Sequence, residues 1–201
     1  TPADLYLFGA LVERDGKVTG ELHEELPADL PTHTKDAPQL FFGVMAPWNR
    51  AYRRTLFTEG GIRFATKVWY EDIRIVTKVL ALAEQVVRLP GAYYHYLQRE
   101  GSAMNNKNCA RNVEILYAFD DILGWFGEHG LREAYRDELT FLAISHLLIA
   151  ASVRVARIDC KSELLGQFRD YMEKNFPDFR ENRYLPRLDR NKRLVYRLLL
   201  K

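Results

Sequence analysis

The chain has 201 residues, of which 47% are hydrophobic and 28% charged, so it can form one domain with a core or one domain with a helical extension. The net charge of +2 gives no compositional sign of nucleic-acid binding. The two cysteines, Cys109 and Cys160, form neither a disulfide framework nor a metal-ligand cluster, and they fit a reducing cytoplasmic compartment. No apolar run reaches the roughly 18 residues of a membrane-spanning helix, and the N-terminus lacks a signal-peptide pattern.

Strands and a broken helix are predicted for the first 60 or so residues. An apolar run predicts a strand over residues 4–12, and an Asp-Gly turn predicts a return strand over 17–22. After a proline-rich loop, residues 39–55 predict a helix that is broken near Pro47.

A second helix and two further strands follow. Apolar residues recur with helical period over 72–83. Residues 85–89 predict a strand that ends at Pro90-Gly91, and residues 92–97 predict a second, aromatic-rich strand.

The remainder of the chain predicts helices only. Their predicted ranges are 112–126, 131–158, a helix starting after Ser162 and ending near 175, and 191–200. The predicted fold class is therefore α+β and mostly helical, with one domain over 1–108 and an all-helical extension over 109–201.

Adjacent carboxylates, Glu71 and Asp72, open the helix predicted to start at 72. One explanation is structural, because a helix N-terminus favours negative charge by roughly 0.3–1 kcal/mol. The other is chemical, since one carboxylate can face a substrate while its neighbour binds a cation, an arginine or water. Spacing alone leaves both open.

The aromatic strand carries a second group of candidates. Alternation places Tyr94, Tyr96 and Gln98 on one face, and a second set on the other. That second set is Tyr93, His95, Leu97 and Arg99. Interleaved aromatic and polar side chains suit carbohydrate stacking or pyrophosphate binding, and they equally suit an edge strand packed on a helix.

Weaker candidates lie elsewhere. Trp48 and Asn49 begin a helical segment, where a tryptophan is usually a core residue and the asparagine can hydrogen-bond a ligand or a loop. Asp120-Asp121 is predicted to lie on a solvated helix face, and His146 to be a core or interface histidine. No metal-ligand set, phosphate-binding loop or nucleophile elbow is present.

In order and spacing, residues 46–105 resemble family 2 glycosyltransferases of the bacterial polysaccharide and cell-wall type. The matching motif residues are Trp48-Asn49-Arg50, Ile62 and Phe64, Glu71-Asp72, Tyr94 and Tyr96, Arg99, Gly101-Ser102 and Met104. Arg50 stands where the family commonly has lysine, which keeps the charge.

The resemblance implies the acceptor side of a GT-A fold, followed by a variable helical tail. It implies inverting, SN2-like transfer of a sugar from a nucleotide-sugar donor to a glycan or lipid-linked acceptor hydroxyl. Asp72 would be the general base beside Glu71, and Arg99 would help neutralise the leaving diphosphate. Trp48, Asn49, Tyr94, Tyr96, Gln98 and Ser102 would bind substrate.

The family's nucleotide-binding half, with its metal-binding Asp-x-Asp-like motif, has no counterpart in these residues. We therefore expect no cofactor in this chain, a divalent metal (Mg²⁺ or Mn²⁺) with the other half, and no transferase activity from this chain alone. Exposed strand edges predict self-association.

An alternative function is a non-catalytic binding or assembly module. Residues 187–201 are basic and amphipathic, so they can dock a partner or an anionic membrane surface, and equally can pack as a solvated helix on the domain. The expected location is the cytoplasm, at the inner face of the membrane where the tail binds lipid. A purely structural fragment is the third possibility.

Overall fold

The computed structural model describes residues 3–24, 26, 29, 31–98 and 109–200, with Cys109 described by its backbone alone. The fold is α+β, as predicted, with 51% helix and 19% strand. The chain forms two compact units. The mixed unit comprises Thr1–Thr66 and Glu71–Asn106, and the helical unit comprises Lys67–Tyr70 and Lys107–Lys201. The predicted division at residue 108 stays a prediction.

The mixed unit is built around strand β1 (Leu5–Arg14), which forms an antiparallel hairpin with β2 (Lys17–Leu22). The hairpin was predicted from its turn. Asp15 and Gly16 both have positive φ, 50° and 72°, which is the turn geometry that matches the twist of paired strands.

Strand β5 (Gln85–Leu97) pairs in parallel with the opposite edge of β1 along most of its length. Strand β3 (Thr32–His33) pairs with the start of β5, which gives the order β2-β1-β5-β3. The two strands predicted at 85–97 are thus one strand. The register of β1 and β5 shifts at Pro90-Gly91, because the proline cannot donate to the ladder and the extra residues form a bulge.

The predicted helix over 39–55 is wrong. The segment forms 3₁₀ turns at Pro38–Phe41 and Pro47–Asn49, then strand β4 (Arg50–Tyr52) and the short helix α1 (Thr55–Thr58). Strand β4 pairs with the first residues of β1, so pairing with a distant strand overrides the local helical pattern.

Helix α2 (Glu71–Leu82) agrees with the helix predicted over 72–83. Its apolar side is buried in the core of the mixed unit, through Ile73, Val76, Val79 and Leu80. The helix also packs against the Pro47–Asn49 turn.

The described part of the helical unit contains no strand, in agreement with the sequence prediction. After a 3₁₀ turn at Cys109–Val113 come α3 (Glu114–Glu128), α4 (Arg136–Ala143), a π-helical stretch Ile144–Ala151, α5 (Ser152–Ala156), α6 (Leu164–Asn175) and α7 (Arg190–Leu199). Glu163 rather than the predicted Ser162 is the N-cap of α6, although the Ser162 hydroxyl accepts a long bond from the Leu164 N–H.

Segments α4, Ile144–Ala151 and α5 form one continuous helix, Arg136–Ala156, that is long and apolar enough to cross a membrane. The sequence-based statement that no such run exists is therefore wrong for this helix. Yet 67% of its most apolar window is buried inside the protein. The helix accordingly serves as the core helix of its unit.

Candidate functional site

The turn that carries Trp48 and Asn49 is held in place by its neighbours. The Tyr52 hydroxyl donates to the Pro47 carbonyl at 3.0 Å. Burial raises the pKa of Tyr52 to about 12, so this hydroxyl donor persists into alkaline solution. The Arg50 guanidinium donates to the Ala46 carbonyl, to the Val44 carbonyl at 2.6 Å, and to the Asn49 side-chain oxygen at 3.1 Å.

Arg50 also forms a buried ion pair that the sequence analysis missed. Its Nη2 lies 2.7 Å from Glu24 Oε1, and the two side chains are 0% and 2% exposed. Burial lowers the pKa of Arg50, and the negative charge of Glu24 opposes this shift. The ion pair therefore stabilises the guanidinium in its charged form. Gly43 leaves room for the carboxylate, since a Cβ there would lie 2.0 Å from Glu24 Oε2. The partners are 26 residues apart in an irregular segment, so no sequence period could have revealed the pair.

Trp48 stacks on two tyrosines of β5. Its ring centroid lies 4.8 Å from that of Tyr94 and 4.9 Å from that of Tyr96, with interplanar angles of 18° and 14°. Tyr94 keeps 37% of its surface exposed. The face shared by Tyr94 and Tyr96, expected from alternation, therefore meets the tryptophan of a segment about 45 residues earlier in the chain.

The other predicted residues of this strand have separate contacts. The Gln98 side-chain oxygen accepts from Arg14 Nη2 at 2.6 Å. On the opposite face, His95 Nδ1 hydrogen-bonds Glu13, and Tyr93 meets Phe8 edge-on at 6.0 Å. The predicted Arg99, Gly101, Ser102 and Met104 lie outside the described residues.

Asn49 is fully buried. Its oxygen accepts from Arg50, whereas its Nδ2 has no hydrogen-bond partner within the described residues. As placed, Asn49 stabilises the turn rather than presenting an amide at the surface.

Glu71 and Asp72 occupy the first turn of α2, but their environments differ. Glu71 is exposed, whereas Asp72 is partly buried. Asp72 Oδ1 accepts from the Ile73 N–H at 2.7 Å, and a helix N-terminus favours its ionised form. Of the two acids, Asp72 thus has the more defined position.

The residue before this pair has an unusual backbone. Tyr70 has φ +63°, which is rare for a bulky side chain and costs of order 1–3 kcal/mol. Within the helical unit its hydroxyl donates to Asn112 Oδ1 and accepts from Arg154 Nη1, both at 3.0 Å. The neighbouring Trp69 N–H donates to Glu114 Oε2 at 2.6 Å. These bonds offset the backbone strain, and the chain enters α2 immediately afterwards.

The minor candidates behave as structural residues. Asp120 and Asp121 are exposed, as predicted, and Asp120 accepts from the Tyr171 hydroxyl at 2.8 Å. His146 lies in the π-helical stretch Ile144–Ala151. Among the residues that the structure describes, no group of three His, Cys, Asp or Glu side chains could hold a metal ion.

A cavity of about 330 Å³ lies within the helical unit and contains none of the predicted site residues. Its walls come mainly from α4, the residues before α4 and the segment after α6, with further contacts from α3 and the end of α6. Its charged residues are partly paired with each other, Arg136 with Asp178 for example. The cavity is therefore a polar recess that is lined by none of the predicted catalytic residues.

A scan against protein-family models gives no match to the chain, and a search of curated proteins gives no match either. Any functional assignment therefore depends on the motif residues and their geometry.

Proposed function

We propose that this chain supplies the acceptor side of an inverting family 2 glycosyltransferase. One observation carries the proposal: Trp48 stacks on Tyr94 and Tyr96, which joins two segments of the motif into one aromatic cluster. Aromatic faces suit the apolar faces of sugar rings, and the exposed part of Tyr94 is available for such a contact.

Of the two acids at the start of α2, Asp72 supplies the base. In this proposal the Asp72 carboxylate takes the proton of the acceptor hydroxyl while that oxygen forms a bond to the anomeric carbon. The bond from that carbon to the nucleotide diphosphate breaks on the opposite face, and the diphosphate leaves with the electron pair. Asp72 is chosen over Glu71 because it is partly buried and fixed by the Ile73 N–H, whereas Glu71 is exposed.

The remaining groups would bind the substrates or support the residues that bind them. Arg50 with Glu24 would hold the Trp48 turn, and Asn49 would act through the same turn. Gln98, Arg99 and Ser102 would contact substrate, with Arg99 toward the leaving diphosphate. Mg²⁺ or Mn²⁺, which the resemblance associates with the nucleotide-binding half, would neutralise diphosphate charge.

The proposal is tested by sugar transfer from a panel of nucleotide sugars to glycan acceptors, using the protein in its natural full-length form. Asp72→Asn should lower kcat by at least about 100-fold, since general-base catalysis contributes on that order or more. Glu71→Gln, a matched change one residue away, should retain most of the activity. Normal turnover by Asp72→Asn would remove that residue from the base role.

A second experiment tests whether the aromatic cluster binds the acceptor. Tyr94→Ala should raise KM for the acceptor about fivefold, equivalent to about 1 kcal/mol of stacking. Tyr93→Ala is the control, because Tyr93 is 63% exposed on the other face of the same strand. Equal effects of the two changes would argue against acceptor binding at the cluster.

A second candidate function, docking without catalysis, is favoured by the surface of helix α7, where two leucines are exposed beside arginines.

A further inference from the structure

Helix α7 (Arg190–Leu199) is fixed at its start and along one side. Asp189 is the N-cap, and its side chain accepts from the Lys192 N–H at 2.8 Å. Tyr196 is buried and meets Phe179 edge-on with ring centroids 6.4 Å apart. The helix therefore has a defined inner side and a defined outer side.

The outer side carries two large apolar residues in water. Leu194 is 59% exposed and Leu198 is 58% exposed. They are four residues apart, so they lie one above the other on the same face. Packing within the helical unit uses Tyr196 and leaves these two leucines uncovered.

Arginines flank the two leucines. Arg190 lies four residues before Leu194 and Arg197 lies three residues after it, so both arginines are on the leucine side of the helix. Neither forms a hydrogen bond or an ion pair within the part of the chain that the structure describes. Over residues 187–200 the basic residues are Arg187, Arg190, Lys192, Arg193 and Arg197, against the single acid Asp189.

From this arrangement we propose that the outer face of α7 binds an anionic lipid surface. Leu194 and Leu198 enter the boundary between headgroups and acyl chains, and Arg190 and Arg197 bind lipid phosphates and acidic headgroups. Ten helical residues span about 15 Å, so the helix lies in the plane of the surface.

The leucines distinguish lipid from the other polyanions. Nucleic acid would engage the arginines through its phosphates, but it offers no apolar layer for a pair of exposed leucines. An acidic protein partner would need a matching apolar groove, whereas an anionic membrane presents charge and an apolar layer together. The inference does not depend on the proposed glycosyl transfer.

The test is sedimentation of the full chain with vesicles of pure phosphatidylcholine, and with vesicles that also contain about 30% phosphatidylserine. The wild type should bind the anionic vesicles and not the neutral ones. The double variant Leu194→Ser/Leu198→Ser should weaken binding by at least about tenfold, since two apolar side chains no longer enter the bilayer.

Two further variants separate charge from fold. Arg190→Gln/Arg197→Gln should weaken binding and reduce its dependence on salt. Tyr117→Ser, which removes a 57% exposed aromatic from α3, is the control and should bind like wild type. All variants are compared by thermal unfolding, where exposed positions should change little.

Equal binding of wild type to neutral and anionic vesicles would overturn the proposal. Unchanged vesicle binding by the leucine double variant would also overturn it. So would a loss of self-association or of nucleic-acid binding in that variant without any effect on vesicles, because the occupant would then be a second copy or a polyanion.

Discussion

The Trp48 turn and the outer face of α7 combine the same kinds of residue in opposite ways. At the turn, Arg50 is buried, pairs with Glu24 and hydrogen-bonds three neighbouring oxygens. On α7, Arg190 and Arg197 are exposed, and Leu194 and Leu198 lie beside them in water. The terminal nitrogens of Arg50 are paired inside the fold, whereas Arg190 and Arg197 form no hydrogen bond or ion pair within the described residues.

The difference shows how structural and binding roles of arginine can be separated. A buried, paired arginine stabilises the segment around it, and its replacement leaves an unpaired buried charge. An exposed, unpaired arginine contributes little to folding, so its replacement should change an interaction and not the stability. Each of the following predictions tests this contrast.

The largest expected effect comes from breaking the buried pair. Arg50→Ala should lower the free energy of unfolding by about 3–5 kcal/mol, because it leaves the Glu24 carboxylate buried without its partner and frees the Trp48 turn. Denaturant unfolding followed by tryptophan fluorescence measures the change. Arg197→Ala is the matched control and should stay within about 0.5 kcal/mol. Comparable losses of stability in the two variants would show that Arg50 contributes no more to folding than an exposed arginine does.

A glycine gives a second way to disturb the same pair. Gly43→Ala would place a Cβ 2.0 Å from Glu24 Oε2, so the carboxylate must move away from Arg50. A cost of about 1–3 kcal/mol is expected, as for other overpacked sites. Gly124→Ala is the control, since a Cβ there meets no atom within 4 Å. If Gly43→Ala left stability unchanged, the tight placement of Glu24 would be refuted.

His146 extends the comparison to a group that lies near positive charges and titrates with pH. Burial, together with the positive charges of Lys192 and Arg154, lowers the pKa of His146 to about 4. The folded pKa is below the unfolded value of 6.5, so the unfolded chain binds the proton more readily. Stability contributed by neutral His146 is therefore complete above about pH 6.5 and is lost as pH falls toward 4.

The loss over that range should reach at most about 3 kcal/mol, because His146 as a residue is only partly buried. Thermal unfolding between pH 8 and pH 4.5 measures it. His146→Gln should show a shallower decline over the same window, whereas the carboxylates, common to both proteins, titrate alike. Identical pH profiles would show that His146 carries no such penalty.

Local sequence signals predicted a good part of the fold. The Asp15-Gly16 turn required positive φ at both positions, so the hairpin of β1 and β2 could be predicted. Helix α2 could be predicted equally well, because its buried residues recur with helical period. The failure at 39–55 arose because Arg50–Tyr52 pairs with β1, an interaction that no local window contains.

The candidate site, like the fold, could be predicted only in part. Alternation correctly grouped Tyr94 with Tyr96, but it could not show that Trp48 stacks on both. The Glu24–Arg50 pair and the uncovered side of α7 depend on tertiary packing, which decides which charges are buried and which leucines remain in water. The roles of Asp72 and Glu71 stay predictions.

The smallest expected effect concerns the start of α7, and it tests whether the outer face needs a well-formed helix. Asp189→Ala removes the side-chain acceptor of the Lys192 N–H and should lower stability by about 1 kcal/mol. Asp189→Asn retains an oxygen acceptor and should recover most of that loss. Both changes also remove the only acid among residues 187–200, so they raise the positive charge of the segment equally. Circular dichroism and thermal unfolding measure the helix, and sedimentation with anionic vesicles measures its binding.

If Asp189→Asn binds vesicles more tightly than wild type while Asp189→Ala does not, the lipid-binding face requires both the charge and a helix that holds Leu194 and Leu198 in line. Equal binding by both variants would mean that charge alone attracts the segment and that helix order plays no part.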